Sequence, residues 1–224
     1  MNMNKNTVSI LQQESILASN KVLKNTYMLL GVNFLFSALC AFLSTSAHVR
    51  PLHPIFLLVG VYGLMFLTNY LRNSPMGILA VFAFTGFLGY TLGPILNMYI
   101  TNFSNGPQLI GTALGGTGLI FFALSGYVLS TKKDFNYLNG FLFIASMVAL
   151  LAMIATIFIQ IPAMSLFISA LFILISSGLI LFQTSEIIHG GERNYISATV
   201  SLFVSIYNLF ISLLNILGAF SNRD

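Results

Sequence analysis

The chain has 224 residues, of which 57% are hydrophobic and 6% charged, and its mean hydropathy is +0.90. A soluble domain carries about 25% charged residues, so this composition excludes a water-facing surface and makes the chain an integral membrane protein. The net charge of +4 is small and no basic run is interleaved with aromatics, which excludes nucleic-acid binding and leaves the charges to be read as membrane topology.

Residues 1–25 are polar, with Lys5, Lys21 and Lys24 among scattered apolar positions. They are expected to form a cytosolic tail, flexible over about the first ten residues or folded as a short amphipathic helix on the membrane. No short apolar region precedes the first span, so that span is expected to act as an uncleaved targeting signal. Over 26–224, seven apolar runs follow, at about Tyr27–Thr45, Ile55–Leu71, Met76–Ile100, Gln108–Ser130, Tyr137–Ile159, Ala163–Gln183 and Tyr195–Phe220. Each is close to the ~20 residues that cross the hydrocarbon core. Pro75 suits the start of a helix, and Gln160, Ile161 and Pro162 make a very short turn. Short turns make neighbouring spans antiparallel, giving an all-α, seven-helix transmembrane bundle with its termini on opposite sides.

Charge sets the orientation. With the N-terminus inside, the inner segments hold Lys5, Lys21, Lys24, Arg72, Lys132, Lys133 and Arg193, and the outer ones only Arg50 and Arg223. Seven against two is a positive-inside bias. It predicts a cytoplasmic N-terminus and a C-terminus across the membrane. A re-entrant seventh segment is the alternative, and would return the C-terminus to the cytosol. No internal duplication is visible, which gives little support to an inverted-repeat transporter.

Gly86, Gly89 and Gly93 recur on one face of the third span, followed by Pro94. Small residues let another helix approach closely. Proline removes a backbone donor and frees a carbonyl, which serves either plain packing or a polar cavity; spacing alone favours packing. In the fourth span, Gly111, Gly115, Gly116 and Gly118 give a similar packing signal of low specificity. The acidic residues Glu14, Asp134, Glu186, Glu192 and Asp224 all fall in predicted tails or loops. An intramembrane carboxylate is the usual mark of proton or cation coupling, so the pattern argues against a proton-driven pump and a di-carboxylate metal site. Catalytic readings are equally poor. His48, His53 and His189 lie in predicted loops or helix ends, away from the serines, and neither paired aspartates nor a His-Glu-x-x-His zinc motif is present. His48 and His53 read as solvated loop residues rather than metal ligands. Cys40 reads as a small apolar filler. No cofactor is implied.

The stretch from Gln183 to Gly218 is the most distinctive. A polar hinge, Glu186 to Tyr195, precedes an apolar run carrying Ser197, Ser201, Ser205, Asn208, Ser212 and Asn215 at spacings of three and four. That is one helix face, roughly 27 Å long at 1.5 Å per residue. A span with such a stripe belongs inside a bundle. Gly190 and Gly191 can end one helix, and Asn194 or the charged residues before it can cap the next. Glu192 and Arg193 read as an exposed surface pair.

The sequence QTSEIIHGGERNYISATVSLFVSIYNLFISLLNILG resembles the C-terminal signature of the Bax inhibitor-1 family of membrane proteins, and GFLGYTLGPILNMY resembles its third-span motif. KVLKNTYMLL, YGLMFLTNY, LFISALFILISSGLILF and the terminal AFSNRD are most similar to a bacterial branch of that family. The resemblance runs from about Lys21 to Asp224. It implies a bundle whose last helix is surrounded by the other six. It also implies residence in the bacterial inner membrane, and binding to the membrane AAA protease FtsH as both inhibitor and slow substrate. Other members are implicated in a pH-sensitive calcium leak governed by two aspartates. The matching positions here are Gln183 and Ser205, and neither can carry the charge that a carboxylate pair shares. A calcium leak gated by this pair is therefore not expected of this chain.

Overall fold

A chain this apolar must satisfy its backbone hydrogen bonds within each crossing segment, and helices do so. The computed structural model describes the backbone of residues 5–158 and 162–221, and the side chains of Leu17, 19–156 and 163–221. Its helices are α1 (Lys5–Ser46), α2 (Pro54–Leu71), α3 (Met76–Asn102), α4 (Gly106–Thr131), α5 (Asn139–Phe158), α6 (Pro162–His189) and α7 (Tyr195–Phe220), with one 3-10 turn at Asn136–Leu138. Among the described residues, seven helices are long and apolar enough to cross a membrane.

The boundaries differ from expectation in two places. The helix of the first span begins at Lys5, so a flexible stretch over the first ten residues gives way to helix from there; residues 1–4 lie outside the described residues. Its membrane-compatible part is Ser19–Ser46. The sixth span runs on to His189 instead of ending at Gln183. Thr184 and Ser185 keep it helical because they are fully buried against other elements, where hydrophilic residues would otherwise mark a loop. The predicted turn at Gln160, Ile161 and Pro162, and the cation Arg223, lie outside the residues whose side chains are described.

The core sits on α7. From Ile196 to Gly218 none of its residues is exposed, and it packs against α6, α4, α1, α3 and α2. Among the described residues α5 does not reach it; α5 packs on α6 and on the 3-10 turn. The central helix is thus ringed by five spans, with α5 applied to the outside of α6. Leu202, Phe203 and Leu209 of α7 meet Leu30 of α1, Val81, Phe84 and Leu88 of α3, Phe121 of α4 and Ile180 of α6. Outward positions such as Phe56, Phe66, Phe141 and Phe167 remain exposed, as lipid-facing positions do.

The α1–α3 seam explains the glycines of the third span. A Cβ on Gly89 would collide with the carbonyl of Ser37, and one on Gly93 with the hydroxyl of Ser44. Pro94 cannot donate to the carbonyl of Tyr90, four residues earlier. Ser44 of α1 donates to that carbonyl at 2.8 Å, and Asn97 Nδ2 donates to the carbonyl of Thr45 at 3.0 Å. The freed carbonyl therefore serves packing and does not line a cavity. Farther along, Thr85 donates to Asn33 Oδ1 at 2.7 Å within a buried pair.

Candidate functional site

The hinge is built by opposed capping. Gly190 adopts a left-handed φ of 76°, the conformation that ends helices on glycine. The amides of Gly191 and Glu192 return to the carbonyl of Glu186 at 2.9 and 3.2 Å. Asn194 then opens α7: its Oδ1 accepts from the amides of Ile196 and Ser197 at 2.9 and 3.1 Å. Its Nδ2 donates to the carbonyl of Arg72 and to Asn73 Oδ1 at 2.9 and 2.8 Å, bracing the hinge on the α2–α3 turn. Of Glu192 and Arg193, expected as an exposed surface pair, Arg193 is exposed and Glu192 half-buried, and each bonds to the hinge backbone. Glu192 Oε1 accepts from the amide of Asn194 at 2.8 Å, and Arg193 Nε donates to the carbonyl of Gly190 at 3.1 Å. Both charged side chains shape the hinge itself.

The α4–α5 connection is tied to the same end. Ser185 accepts from the amide of Phe135 at 2.9 Å. The ring of His189 lies between two carbonyls, with Nδ1 2.9 Å from that of Ser185 and Nε2 3.1 Å from that of Lys132. Arg72, Lys132, Lys133 and Arg193 are thereby gathered at one end of the bundle. At the other end, Ser221 of the α7 C-terminus donates to Asn105 Oδ1, between α3 and α4, at 2.9 Å. His53 is the N-cap of α2, accepting from the amide of Ile55 at 3.4 Å, and His48 sits in the preceding turn.

The polar stripe of α7 faces two surroundings. Toward the hinge, Ser197 and Ser201 line a cleft of about 540 Å³ against Tyr62, Thr68 and Asn69 of α2. Farther along, the stripe meets α6. Ser205 Oγ lies 3.2 Å from Gln183 Oε1 and donates as well to the carbonyl of Ser201 at 3.0 Å. Asn215 Nδ2 donates to the hydroxyls of Ser165 and Ser169 at 2.9 and 2.8 Å. Ser212 is buried and Asn208 half-buried on the same face. The serines of α6 were not among the expected site residues, although Ser165, Ser169, Ser176 and Gln183 follow one another at spacings of four, seven and seven, which keeps them on one face.

Gln183 and Ser205 are therefore neighbours, and the pair they form is neutral. An amide and a hydroxyl exchange a hydrogen bond, but neither binds or releases a proton at physiological pH. A smaller cavity of about 150 Å³ beside them is lined by Gln183, Glu186, Glu192 and Ser201. Of its two carboxylates Glu192 belongs to the hinge, but Glu186, expected in a loop, stands on the last turn of α6 because that helix runs on to His189.

This geometry, a central last helix entered through a Gly-Gly hinge, coincides with a family match. The family model described as inhibitor of apoptosis-promoting Bax1 matches residues 19–222. The chain belongs to the Bax inhibitor-1 family. Within that family it is 57% identical over 210 residues to a protein of Escherichia coli K12 named modulator of FtsH protease YccA, with 94% of each chain covered. It is 53% identical over 203 residues to an uncharacterized protein of Pseudomonas aeruginosa, covering 91% of each. A Vibrio cholerae protein described as an uncharacterized membrane protein is 42% identical over 212 residues, covering 94% of this chain and 95% of that one. The match takes in all seven spans and the hinge, so the Bax inhibitor-1 assignment covers the whole membrane domain.

Proposed function

We propose that this chain is a multi-pass protein of the bacterial inner membrane that binds and modulates an FtsH-type membrane AAA protease. The observation that carries the reading is its 57% identity, over 94% of both chains, to the relative named modulator of FtsH protease. The role assigned is one of binding, as the relative's name of modulator supports. The proposed orientation puts the N-terminus in the cytosol, supported by the gathering of Arg72, Lys132, Lys133 and Arg193 at the end where α1 meets the hinge: Ser19 lies beside Gly190. A reporter fused after Asp224 that is active only in the cytosol would overturn it.

In this reading the tail, residues 1 to about 25, is the handle for a cytosolic motor, and the seven-helix body resists extraction. The closely fitted α1–α3 seam and the central α7 must separate before the chain leaves the bilayer. Deleting residues 1–20 and following the half-life with the protease present tests the handle. A lengthened half-life and lost co-purification with the protease are expected. An unchanged half-life removes the tail from the mechanism, and failure of the full-length chain to co-purify removes the protease partner.

A further inference from the structure

The bundle has an opening between α1 and α4. The helices α1 and α4 both pack on α7, yet among the described residues their Cα atoms stay more than 8 Å apart. Between them lies a groove of about 460 Å³, within the roughly 300–1,000 Å³ of ligand pockets. Its floor is α7, through Phe203, Ile206, Tyr207 and Phe210. Its rim is open: Leu35 and Phe122, which line it, are 76% and 70% exposed. A side chain added at Gly31 of α1 or Gly118 of α4 would meet nothing within 4 Å. The space is therefore not closed by the protein's own packing.

We infer that this groove holds one acyl chain of a bilayer phospholipid. Three observations choose that occupant. First, the opening lies along transmembrane segments, where the surrounding medium is lipid. Second, the groove follows α1 from Tyr27 to Ala38; eleven steps of 1.5 Å make roughly 16 Å, about half of the ~30 Å hydrocarbon core. That is the depth of one leaflet, so a single chain fills the groove end to end, whereas a transmembrane helix of a partner would overrun it. Third, the end nearer the N-terminus suits a phospholipid head. Tyr27 and Phe121 stack across the gap there with ring centroids 5.9 Å apart. The Tyr27 hydroxyl is one of two buried side-chain polar atoms without a hydrogen-bond partner among the described residues. Exposed Lys24 continues the Tyr27 face of α1 by one turn. With the head at this end, the phosphate meets the ammonium of Lys24.

The full-length chain, reconstituted in phosphatidylethanolamine–phosphatidylglycerol vesicles with a trace of phospholipid carrying a diazirine on one acyl chain, provides the test. After irradiation, peptides bearing Leu35 and Phe122 are expected to carry at least threefold more label than those bearing Phe141 and Ile144, which meet bulk lipid on α5. Gly118→Leu is expected to cut the groove signal about fivefold and leave the α5 signal unchanged. Groove labelling no higher than on α5, or unchanged by Gly118→Leu, overturns the inference. So does a dimer on crosslinking with label excluded from the groove, since a second copy would then be the occupant. Should the variant fail to fold, native mass spectrometry of the unaltered chain decides: one retained phospholipid per chain supports the inference and none overturns it.

Discussion

Helices α5 and α7 are nearly alike in hydropathy, yet about half of α7 is buried and most of α5 is not. In water the more apolar helix goes inside. In a bilayer the solvent is as apolar as leucine, so hydropathy decides only that a segment crosses. What draws a helix inward is what lipid cannot satisfy: hydroxyls, amides and surfaces flat enough for close approach. The α7 helix carries that stripe and finds Gln183, Ser165 and Ser169 across from it. The α5 helix presents Phe141, Phe143, Ile144 and Leu151 to the membrane and needs only α6 as a support.

The contrast can be broken most forcefully by truncating equivalent leucines. Leu202 of α7 is fully buried and Leu151 of α5 is 61% exposed. Leu202→Ala leaves a cavity and is expected to cost about 2–5 kcal/mol. Leu151→Ala, refilled by lipid, is expected to stay within about 0.5 kcal/mol. Reversible unfolding in mixed micelles measures both, and equal losses would mean that α7 is not the packing centre.

A smaller effect sharpens what the polar face does. The double change Gln183→Asp with Ser205→Asp sets two carboxyls against each other between α6 and α7. Two carboxyls in contact cannot both ionise, so the folded chain keeps a proton that the unfolded chain releases at about pH 3.9. The folded chain then binds more protons than the unfolded one, so stability falls as pH rises. A loss of about 1–3 kcal/mol from pH 5 to pH 8 is expected, since each tenfold difference in proton affinity is worth roughly 1.4 kcal/mol. A flat profile would show that the two positions are not held together. The smallest expected effect is at Asn215→Ala, which deprives Ser165 and Ser169 of a donor and costs about 1 kcal/mol or less. Ser146, half-buried on α5, is the control, and Ser146→Ala is expected to be silent in the same unfolding measurement.

Most of the architecture was legible because seven separate runs of hydropathy are hard to misread. The inward position of α7 was legible because polar residues at helical spacing have one physical explanation in a bilayer. The outer position of α5 was not, since an apolar helix reads the same whether it touches one neighbour or five. The end of α6 was misplaced because Thr184, Ser185 and Glu186 look like a loop in sequence, while their surroundings keep them helical. The neutral pair at Gln183 and Ser205 rested on the family resemblance, and its 3.2 Å approach depends on two helices meeting. Pro94 announced a free carbonyl, but Ser44, about fifty residues earlier, gave no sequence sign of being its donor.

Chain order gives the central helix one more consequence. It follows the other six in the chain, so the five spans that touch it are made before their common support exists. Until Tyr195–Phe220 emerges, the polar positions of α6 lack the partners that α7 supplies, and the inner faces of α1, α3 and α4 have nothing to close upon. Assembly therefore has a natural checkpoint at the emergence of α7: a chain interrupted after the hinge keeps the six spans before it and loses its core.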